Sequence, residues 1–595
     1  MIAPGTVLLH DTIDPDGQNL LFVEPVRVLV AYTAQEAKAA LAELEAAQAE
    51  GLWAAGFLSY ELGLVFEERL FHLLPGRSEI PLLWLGLYDG PQHLTAPDVQ
   101  RYIEALANGG TAEAVDVEPV IDRATYGQAF DAIKSYIAAG DVYQVNLTFK
   151  ARFALKGEPA ALYRDLVAKQ PVSYGALLAT GEHTVLSRSP ELFVRNVKGQ
   201  LSARPMKGTL KRGRTLAEDA TGRAALAADA KNRAENLMIT DLLRNDLGRI
   251  AEIGSVKVTD LFSVETYRSL HTMTSGITAR LKPGLSTTDI IQNLFPCGSI
   301  TGAPKLRAME IIHQVEAAPR GLYTGAIGYF APGGDFCLNV AIRTAVIDPY
   351  GNGEIGIGGG IVADSLVDAE YDEALLKMKF FTDPATPVAL IETLQWKRQG
   401  GYVLLDRHLD RMAASASYFQ IPFDRAQIED LLDQQPAGFT VPEMRVRLLL
   451  DEREGASITA AALTANPPVF KFMIAPERVD SSSIWLAHKT TNRAFYDEPR
   501  EAAVKNFGVD EVVFLNEKGE LTEGSITNLF VERNGILLTP WLESGLLPGT
   551  LRADLIARGI TVEARLTLED LQQTSKIYLG NSVRGLMRAR WVRTE

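Results

Sequence analysis

The run RPMKGT places Lys207 in a glycine-flanked turn, where its amine is a potential nucleophile. A lysine attacks as a nucleophile only when desolvation or a neighbouring cation lowers its pKa, because the protonated amine has no free electron pair. Taken alone, Lys207 would be interpreted as a solvated surface lysine, the usual fate of this residue type. The chemistry of this position therefore depends on what the rest of the chain brings near it.

Three glutamates could hold a metal ion. Glu370 and Glu373 lie three residues apart on LVDAEYDEALLKMKFF, whose spacing predicts a helix with both carboxylates on nearly one face. Glu235, on a predicted long helix that ends in RNDLGR, adds a third carboxylate from a distant part of the chain. A sparse set of hard oxygen ligands suits Mg2+, which keeps water ligands and accepts a substrate oxygen. The alternative is that these glutamates are solvated on exposed helix faces.

Other residues of the first 380 suit an anionic ligand. Arg343 in NVAIRT follows an apolar, strand-like segment and offers a guanidinium fork that can hold a carboxylate, although a surface ion pair is the alternative. Gly358, Gly359 and Gly360 predict a glycine-rich turn, whose backbone N–H groups can approach an anion closely. A lone histidine such as His271 is more often a hydrogen-bonded core residue than a functional one.

Length and composition restrict the classes of function. At 595 residues the chain is too long for one core, so at least two independent units are expected. The formal net charge of -15 argues against nucleic acid as a partner, so any anionic substrate must meet local cations. Only two cysteines, Cys297 and Cys337, occur, which excludes a disulfide framework and predicts the reducing cytoplasm. The start of the chain lacks a basic n-region, and no long uncharged apolar run occurs, so neither an export signal nor a membrane span is expected.

The elements that must position these residues follow from the apolar spacing. Short apolar runs and an alanine-rich helical stretch, Ala34 to Ala49, predict an α+β lobe over residues 1 to about 115. The run TYGQAFDAIKSYIAAGD predicts a helix that ends at Gly140, followed by the strand VYQVNLTFKARF. In FTDPATPV two prolines break a helix before a new strand pattern begins. We place the domain boundary there, which gives domains 1–383 and 384–595.

Seven segments in the first domain together resemble the chorismate-utilising enzymes, the family of the anthranilate and aminodeoxychorismate synthase large subunits. They are GDVYQVNLT, SRSPELF, AENLMITDLLRNDLGR, CGSITGAPKLRAMEII, RGLYTGAIGY, NVAIRT and GIGGGIVADS, in the family's order. The resemblance implies an α+β fold of two packed antiparallel sheets with helices, and a site that binds chorismate and Mg2+. The implied site residues are Tyr323, Arg343, Gly358, Gly359 and Gly360 for the substrate, His271 near the departing hydroxyl, and Glu235, Glu373 and the nearby Glu370 for Mg2+.

Two positions separate the reactions within this family, since its members differ in what attacks the ring. Relatives that add water usually carry a lysine base at the position of Gln144, and an amide cannot accept a proton at neutral pH, so Gln144 implies ammonia as the nucleophile. Anthranilate synthases generally have a small residue at the position of Lys207. In aminodeoxychorismate synthases a lysine is present, and its amine is thought to add at C2 of the ring. Lys207 therefore favours 4-amino-4-deoxychorismate. Met206 replaces the common isoleucine, a volume-conserving change that we expect to be harmless.

Two other candidates for chemistry carry less weight. Lys305 in TGAPKLR is as readily a cation for the substrate as a solvated turn residue. Cys297 is not accompanied by a glutaminase motif with a paired histidine, so we interpret it as a small buried hydrophobic residue. Ammonia must then come from outside this chain, and free ammonia or a separate glutaminase subunit is what the resemblance implies.

The chain after the boundary resembles the class IV pyridoxal-phosphate enzymes, which include branched-chain and D-amino acid aminotransferases and aminodeoxychorismate lyase. The matching segments are LLDRHLDRMAASASYF, HKTTNRAFYDE, LTEGSITNLFVERNG, LLPGTLR and YLGNSVRGLM. The implied fold has two α/β lobes. The resemblance assigns Lys489 to the Schiff base with pyridoxal 5'-phosphate, Arg411 and the helix start near Thr550 to its phosphate, and Glu523 to its pyridine nitrogen.

Both resemblances together imply a bifunctional enzyme of folate precursor synthesis. Its first domain would aminate chorismate to 4-amino-4-deoxychorismate, and its second would eliminate pyruvate to leave 4-aminobenzoate. The run KTTNR after the catalytic lysine is more similar to the lyase branch than to the branched-chain transaminase branch. Two alternatives stay open: an anthranilate synthase-type domain joined to a D-amino acid or branched-chain aminotransferase, and a non-catalytic chorismate-sensing domain on a PLP enzyme. Relatives of the second fold often dimerise, so a homodimer is one assembly open to this chain.

Overall fold

The computed structural model describes residues 2–14, 17–268, 270–382, 388–452, 454–574 and 576–593. The chain divides into two compact units, one made of Met1–Lys211 and Arg223–Ala385, the other of Arg212–Gly222 and Thr386–Glu595. The predicted boundary between residues 383 and 384 lies outside the described residues. The short segment Arg212–Gly222 belongs to the second unit although its position in the sequence is within the predicted first domain.

The elements before residue 383 alternate between short strands and helices. The strands are β1 (Thr6–His10), β2 (Leu20–Phe22), β3 (Arg27–Ala31), β4 (Trp53–Leu58), β5 (Leu83–Tyr88), β6 (Gln92–His93), β7 (Ala112–Pro119), β8 (Gln144–Gly157), β9 (Tyr174–Ala179), β10 (Thr184–Ser189), β11 (Leu192–Val197), β12 (Gln200–Arg204), β13 (Met206–Lys211), β14 (Lys257–Val258), β15 (Ser263–Thr266), β16 (Leu270–Thr274), β17 (Ile277–Arg280), β18 (Gly302–Ala303), β19 (Ala326–Phe330), β20 (Phe336–Asn339), β21 (Thr344–Ile347) and β22 (Asn352–Ile361). The α-helices are α1 (Ala34–Ala49), α2 (Leu62–Val65), α3 (Ala96–Ala107), α4 (Arg123–Ala138), α5 (Pro159–Lys169), α6 (Leu216–Ala228), α7 (Ala230–Ile250), α8 (Thr287–Leu294), α9 (Lys305–Val315) and α10 (Val367–Thr382).

Two large sheets form the centre of the first unit, and their described strand pairs are antiparallel. The first sheet has the spatial order β18-β8-β22-β21-β10-β9-β1-β2-β6, with β7 paired to β8, and the second has the order β14-β17-β12-β11-β20-β19-β4-β5-β3. Phe22 and Val185 of the first sheet share one buried core with Phe57 of the second, so the sheets pack face to face. Helices α3 and α5 pack on the outer face of the first sheet, and α1 and α8 on that of the second. This arrangement confirms the predicted two packed antiparallel sheets with helices.

A small third sheet of the first unit, in the order β13-β16-β15, carries Lys207 and His271. Local signals explain why the elements nearest to it begin and end where they do. Helix α1 has the predicted bounds and starts with a capping box at Thr33. Helix α4 is followed by Gly140 at φ +80°, a conformation that glycine adopts without strain, and β8 then begins at Gln144.

The chain after residue 388 forms two sheets. Its strands are β23 (Ala389–Lys397), β24 (Gly401–Tyr402), β25 (Glu443–Asp451), β26 (Gly455–Ala462), β27 (Phe470–Val479), β28 (Glu511–Asn516), β29 (Leu521–Gly524), β30 (Asn528–Arg533), β31 (Ile536–Pro540), β32 (Thr561–Ala564), β33 (Ile577–Asn581) and β34 (Gly585–Trp591). Its α-helices are α11 (Leu405–Phe419), α12 (Arg425–Gln434), α13 (Ile484–Ala487), α14 (Ala494–Phe507), α15 (Thr550–Ala557) and α16 (Leu568–Gln572).

Each of these sheets forms a lobe with its helices. In the first lobe, the order β24-β23-β25-β26 places Leu394 and Val446 against Leu409 of α11 and Leu432 of α12. In the second lobe, the order β29-β28-β27-β34-β33-β30-β31-β32 is closed by an additional pairing of β29 with β30. The observed lobes confirm the predicted two-lobed α/β fold. Among the residues described here, no helix combines the length and apolar character needed to cross a bilayer.

Candidate active sites

In the first unit, the backbone at Lys207 is irregular. The pairing of β13 with β16 shifts register between Met206 and Thr209, which places a β-bulge at Lys207 and Gly208. A bulge redirects side chains and is common beside active sites. The side chain of Lys207 is 20% exposed, and its Nζ lies 3.7 Å from Glu235 Oε2. Lys207 is therefore not a freely solvated surface lysine.

Gly360 brings residues from distant segments to Lys207. A Cβ atom on Gly360 would lie 2.8 Å from Lys207 Nζ, 2.9 Å from Asn146 Oδ1 and 3.0 Å from the Gln144 amide carbon. These approaches are possible only because glycine has no side chain. The four residues come from β8, β13 and β22, and they surround one small space.

The amide group of Gln144 is fully buried, and neither of its polar atoms has a hydrogen-bond partner among the described residues. An unsatisfied buried polar group costs about 1–3 kcal/mol, so proteins rarely keep one without a functional reason. A ligand hydrogen-bonded to this amide would supply the missing partners. This geometry is independent of the sequence argument that singled out Gln144.

Glu191 is a functional candidate that the sequence interpretation did not single out. Its carboxylate accepts a hydrogen bond from Ser299 Oγ at 2.7 Å and another from the backbone N–H of Met206. Burial raises the pKa of Glu191 to about 7, although Lys207 opposes the rise. A carboxyl group with this pKa can exchange a proton at neutral pH. The available signal was an acid among apolar residues in SRSPELF.

The predicted magnesium ligands lie on the predicted helices, Glu235 on α7 and Glu370 and Glu373 on α10. Glu370 Oε1 accepts from Ser365 Oγ at 2.7 Å, and Glu373 Oε1 lies 2.9 Å from Lys377 Nζ. Within the described chain, no three acidic, histidine or cysteine side chains converge into a metal-binding group. The donor types suit Mg2+, but two of the three carboxylates face lysines, so Mg2+ stays a prediction.

The charges around Glu373 determine its protonation state. Desolvation of its carboxylate raises its pKa, but the combined attraction of Lys377, Lys207 and Lys231 outweighs that effect and lowers the pKa. The carboxylate is therefore ionised at neutral pH. Because Lys207 and Lys231 contribute to the shift, the Glu373 carboxylate on α10 interacts electrostatically with Lys207, the lysine of the β-bulge.

The prediction of a glycine-rich turn at Gly358–Gly360 is wrong. These residues lie inside β22 and pair in continuous register with Thr148, Leu147 and Asn146 of β8. The physical reason is that EIGIGGGI keeps a full set of backbone hydrogen-bonding groups, which pair with the long strand β8 although the run has few side chains. The glycines therefore provide space beside the strand rather than a loop around an anion.

Arg343 is a partly buried cation that forms no ion pair with a described carboxylate. Burial lowers its pKa to about 10, with Tyr267 opposing the shift. Its backbone has φ +51°, a strained conformation for a residue other than glycine. Such strain is typical of functional positions, and the guanidinium is available for a ligand carboxylate.

The remaining candidates of the first unit are placed less decisively. Tyr323 packs its ring against Gly356, where a Cβ atom would approach the ring to 2.0 Å, and so lies beside β22. His271 is buried, with Thr266 Oγ1 3.0 Å from its Nδ1. Lys305 is structural, because its Nζ donates to Asp246 Oδ2 at 2.8 Å and to two backbone carbonyls. Cys297 is buried as predicted, and burial raises the pKa of its thiol to about 12.

The second unit contains a cavity of about 460 Å3, a size suited to a cofactor. It is lined by all four predicted cofactor residues, Lys489, Arg411, Glu523 and Thr550. The backbone carbonyl of Lys489 accepts from the Ile391 N–H at 2.8 Å, which ties the lysine to β23. Desolvation, together with Arg493 and Arg411, lowers the pKa of Lys489 to about 8. A substantial share of this amine is therefore neutral, and so nucleophilic, near physiological pH.

Glu523 is held by three hydrogen bonds at the end of β29. Its carboxylate accepts from the Leu547 N–H and the Tyr496 hydroxyl at 2.7 Å each, and from Asn528 Nδ2 at 3.0 Å. Burial raises the pKa of Glu523 to about 7. A cationic partner such as a protonated pyridine nitrogen would favour its ionised form.

Arg411 belongs to a buried network that the sequence interpretation missed. Its guanidinium binds both oxygens of Glu392, at 2.8 and 2.7 Å, and His408 Nδ1 lies 2.6 Å from the same carboxylate. On the other side of the ring, His408 Nε2 lies 2.8 Å from Ser582 Oγ and 3.2 Å from Thr550 Oγ1. A glutamate at a core-facing position of the apolar strand VALIETL was the available signal. The network fixes the cation and hydroxyl groups that a phosphate would need.

Two family models match successive parts of this chain. The family described as chorismate binding enzyme matches residues 8–383, and the family described as amino-transferase class IV matches residues 389–592. Aminodeoxychorismate synthase component 1 of Klebsiella aerogenes is 38% identical over 348 residues, which are 55% of this chain and 75% of the relative. Anthranilate synthase component 1 of Pseudomonas aeruginosa is 42% identical over 259 residues, which are 43% of this chain and 52% of the relative. The crystal structure of anthranilate synthase component I from Streptococcus pneumoniae aligns with a TM-score of 0.50 and 25% identity, over 64% of this chain and 91% of that one.

Proposed function

Because the chain belongs to the chorismate binding enzyme family and continues into an amino-transferase class IV domain, we propose that it makes 4-aminobenzoate from chorismate in two steps. In the first step, ammonia replaces the C4 hydroxyl of chorismate, which gives 4-amino-4-deoxychorismate and water. In the second, elimination divides this intermediate into 4-aminobenzoate and pyruvate. The similarity to aminodeoxychorismate synthase component 1 over the first domain supports the first step.

Lys207 distinguishes this reaction from anthranilate synthesis. Its amine would add at C2 of the ring as the hydroxyl leaves from C4, and ammonia would then add at C4 as the amine leaves from C2. The observation that carries this proposal is the position of Lys207 Nζ in the space beside Gly360 and Gln144. Aminodeoxychorismate synthases and anthranilate synthases are both similar to this domain. We therefore assign the choice between their products to Lys207.

Neighbouring groups would support the lysine. Glu191, with a pKa of about 7, would accept the proton that Lys207 must lose before its amine can attack. Gln144 would hydrogen-bond the substrate through both of its amide atoms. Arg343 would bind a carboxylate of chorismate, since it is a partly buried cation with no described acidic partner.

Glu235, Glu370 and Glu373 offer the hard oxygen donors that Mg2+ prefers, and they would hold it beside the substrate, where it neutralises negative charge. Lys207 would then be released from its pairing with Glu235 and become available for chemistry. Ammonia would arrive free or from a separate glutaminase subunit. We expect the reactions to take place in the cytoplasm, and a homodimer is compatible with them.

In the second step, pyridoxal 5'-phosphate supplies an electron sink next to the carbon that carries the substrate amine. Lys489 would hold the cofactor aldehyde and then, as a neutral amine, move the ring proton whose loss accompanies the departure of pyruvate. Glu523 would face the pyridine nitrogen. Arg411, held by Glu392, and the Thr550 hydroxyl would bind the phosphate.

The direct test incubates the protein with chorismate, Mg2+, ammonium and pyridoxal 5'-phosphate and identifies the products by mass. We expect 4-aminobenzoate and pyruvate in equal amounts. Lys207→Ala should reduce product formation at least about 100-fold, because the variant loses the amine that lies in the small space beside Gly360. Accumulation of fluorescent anthranilate would instead assign the first domain to the reaction of the Pseudomonas relative.

A further inference from the structure

Two arginines on one strand face the cavity of the second unit. Arg445 and Arg447 alternate along β25 with the buried residues Met444, Val446 and Leu448, so their side chains lie on the face opposite the hydrophobic core. Both arginines line the cavity that contains Lys489. Residues two apart on a strand are separated by about 7 Å, so both guanidinium groups can reach one small ligand.

These two side chains differ from the other arginines around the cavity. Arg411 is paired with Glu392, and Arg493 with Asp497 at 2.9 Å. Neither Arg445 nor Arg447 forms an ion pair or a side-chain hydrogen bond within the described residues. Two like charges side by side repel each other, and an anion between them would remove that repulsion. In a chain of net charge -15, such a pair is an unusual concentration of free positive charge.

The strand register places the pair at a distance from the catalytic lysine. Ile391 of β23 donates its N–H to the Lys489 carbonyl, and Thr393, two residues further along, pairs with Arg447. Adjacent strands lie about 4.8 Å apart, so the Arg447 backbone is roughly 10 Å or more from that of Lys489. A ligand bound through an amine at Lys489 would therefore reach the arginines with its far end.

We propose that Arg445 and Arg447 form a subsite for a carboxylate at the end of the substrate opposite its amine. This inference rests on the proposed function, in which the ring carboxylate of 4-amino-4-deoxychorismate lies para to the amine. The product 4-aminobenzoate keeps the same amine and the same carboxylate. The subsite thus selects a cyclic amine with a para carboxylate, and it would also accept the second carboxylate of an amino-dicarboxylic acid.

The test compares the holoenzyme with the double variant Arg445→Gln/Arg447→Gln. We expect KM for 4-amino-4-deoxychorismate to rise at least about 10-fold while kcat changes less than about twofold, because the removed contacts bind the substrate away from the reacting atoms. In wild type, 4-aminobenzoate should inhibit far better than aniline, and the double variant should lose most of that difference. The variant Arg445→Gln/Arg447→Lys, which keeps one positive charge, should retain part of the substrate affinity that the double glutamine variant loses.

The matched control is Arg588→Gln/Arg590→Gln on β34, which removes the same charge from two exposed strand residues with the same spacing outside the cavity. It should leave KM unchanged, and cofactor absorbance reports that each variant is folded and loaded. An unchanged KM in the Arg445/Arg447 variant would overturn the subsite while the proposed function stands. If wild type instead turns over glutamate and not the cyclic amine, and the variant raises KM for glutamate, the proposed function fails and the subsite stands for a dicarboxylic amino acid.

Discussion

At the scale of single residues, the first site is distinguished by buried or partly buried polar groups to which the described residues offer no partner. Gln144 has two unsatisfied amide atoms, and Arg343 has no described carboxylate. Both are costs that folding alone does not explain. A ligand that pairs with these polar groups would offset the costs. Lys305 needs no such ligand, because its ammonium already donates to Asp246 and to two backbone carbonyls.

The variant Gln144→Leu separates stability from function at this position. Leucine replaces an unsatisfied buried amide by an apolar group of similar size, so we expect the free energy of unfolding to rise by about 1 kcal/mol. The same change removes the hydrogen bonds offered to the substrate and should lower kcat/KM of the first reaction at least about 100-fold. Thermal unfolding and initial rates measure the two effects. A variant that is both less stable and fully active would contradict the ligand role of Gln144.

The second site should respond to pH through Lys489. Its pKa of about 8 lies below the ordinary lysine value, so the amine is mostly charged at pH 7 and mostly neutral at pH 9. Only the neutral amine captures the cofactor aldehyde, so the rate of reconstitution of apoenzyme should rise with pH and have its midpoint near 8. Absorbance during mixing with pyridoxal 5'-phosphate measures this rate.

The neighbour Arg493 provides the control for that pH profile. Arg493→Gln removes a cation that lowers the pKa of Lys489, so the midpoint should move to higher pH. Arg500 also lines the cavity but is not among the main causes of the shift, and Arg500→Gln should leave the midpoint near its wild-type value. A common shift in both variants would point to a general change in the cavity instead.

At the scale of elements, the β-bulge of β13 directs Lys207 into the site. Gly208 follows it at φ +92°, and a Cβ atom there would lie 2.7 Å from Asn232 Oδ1. Gly208→Ala should therefore destabilise the protein by about 1–2 kcal/mol and reduce the first reaction at least about 10-fold by displacing the lysine.

Gly199 is a matched control for this substitution. It has φ +79° in the turn between β11 and β12, and a Cβ atom there would meet open space, with no described neighbour within 4 Å. Gly199→Ala should have a similar backbone cost but keep the activity of the first site. Unfolding temperatures and rates of both variants test the difference. Equal loss of activity in the two would show that backbone strain alone, and not the position of Lys207, controls the rate.

The sequence predicted elements with strong local signals and missed contacts that are set by tertiary structure. Helix α1 has the predicted bounds because its apolar period and capping residue lie within one stretch of chain. The Gly358–Gly360 segment was predicted as a turn from its composition, but its partner strand β8 is about 200 residues away and was not visible to a local pattern. Glu191 and Glu392 were missed for the same reason, because an isolated acid in an apolar run gains its meaning only from the residues it meets.

At the scale of the whole molecule, the second unit includes Arg212–Gly222, which comes from between β13 and α7. Arg212 is buried and paired with Asp219, its guanidinium lies 4.1 Å from the centre of the Tyr418 ring, and the Tyr418 hydroxyl donates to Gly213 O at 2.7 Å. In the same unit, the Arg214 carbonyl lies 2.9 Å from Nε2 of His488, the residue before Lys489.

Arg212→Gln tests how much these contacts contribute to the stability of the second unit. The change leaves Asp219 buried without its cation, so the second unit should lose about 2–4 kcal/mol of stability and release its cofactor at lower temperature. Arg425→Gln is the control, because Arg425 forms three ion pairs at the surface, where such pairs contribute at most about 1 kcal/mol. Cofactor absorbance during heating measures both. Equal effects of the two changes would mean that Arg212 contributes no more than a surface charge.

The composition of the second unit has a consequence for protein engineering. A gene truncated at the two-proline segment FTDPATPV would express a C-terminal fragment that lacks Arg212–Gly222, eleven residues of the second unit. Chimeras that exchange one half for a monofunctional homologue would inherit the same defect unless the donor provides an equivalent loop. The second unit is therefore not one continuous segment of the chain, and we expect a fragment that begins after the first domain to be less stable than the same unit in the full chain.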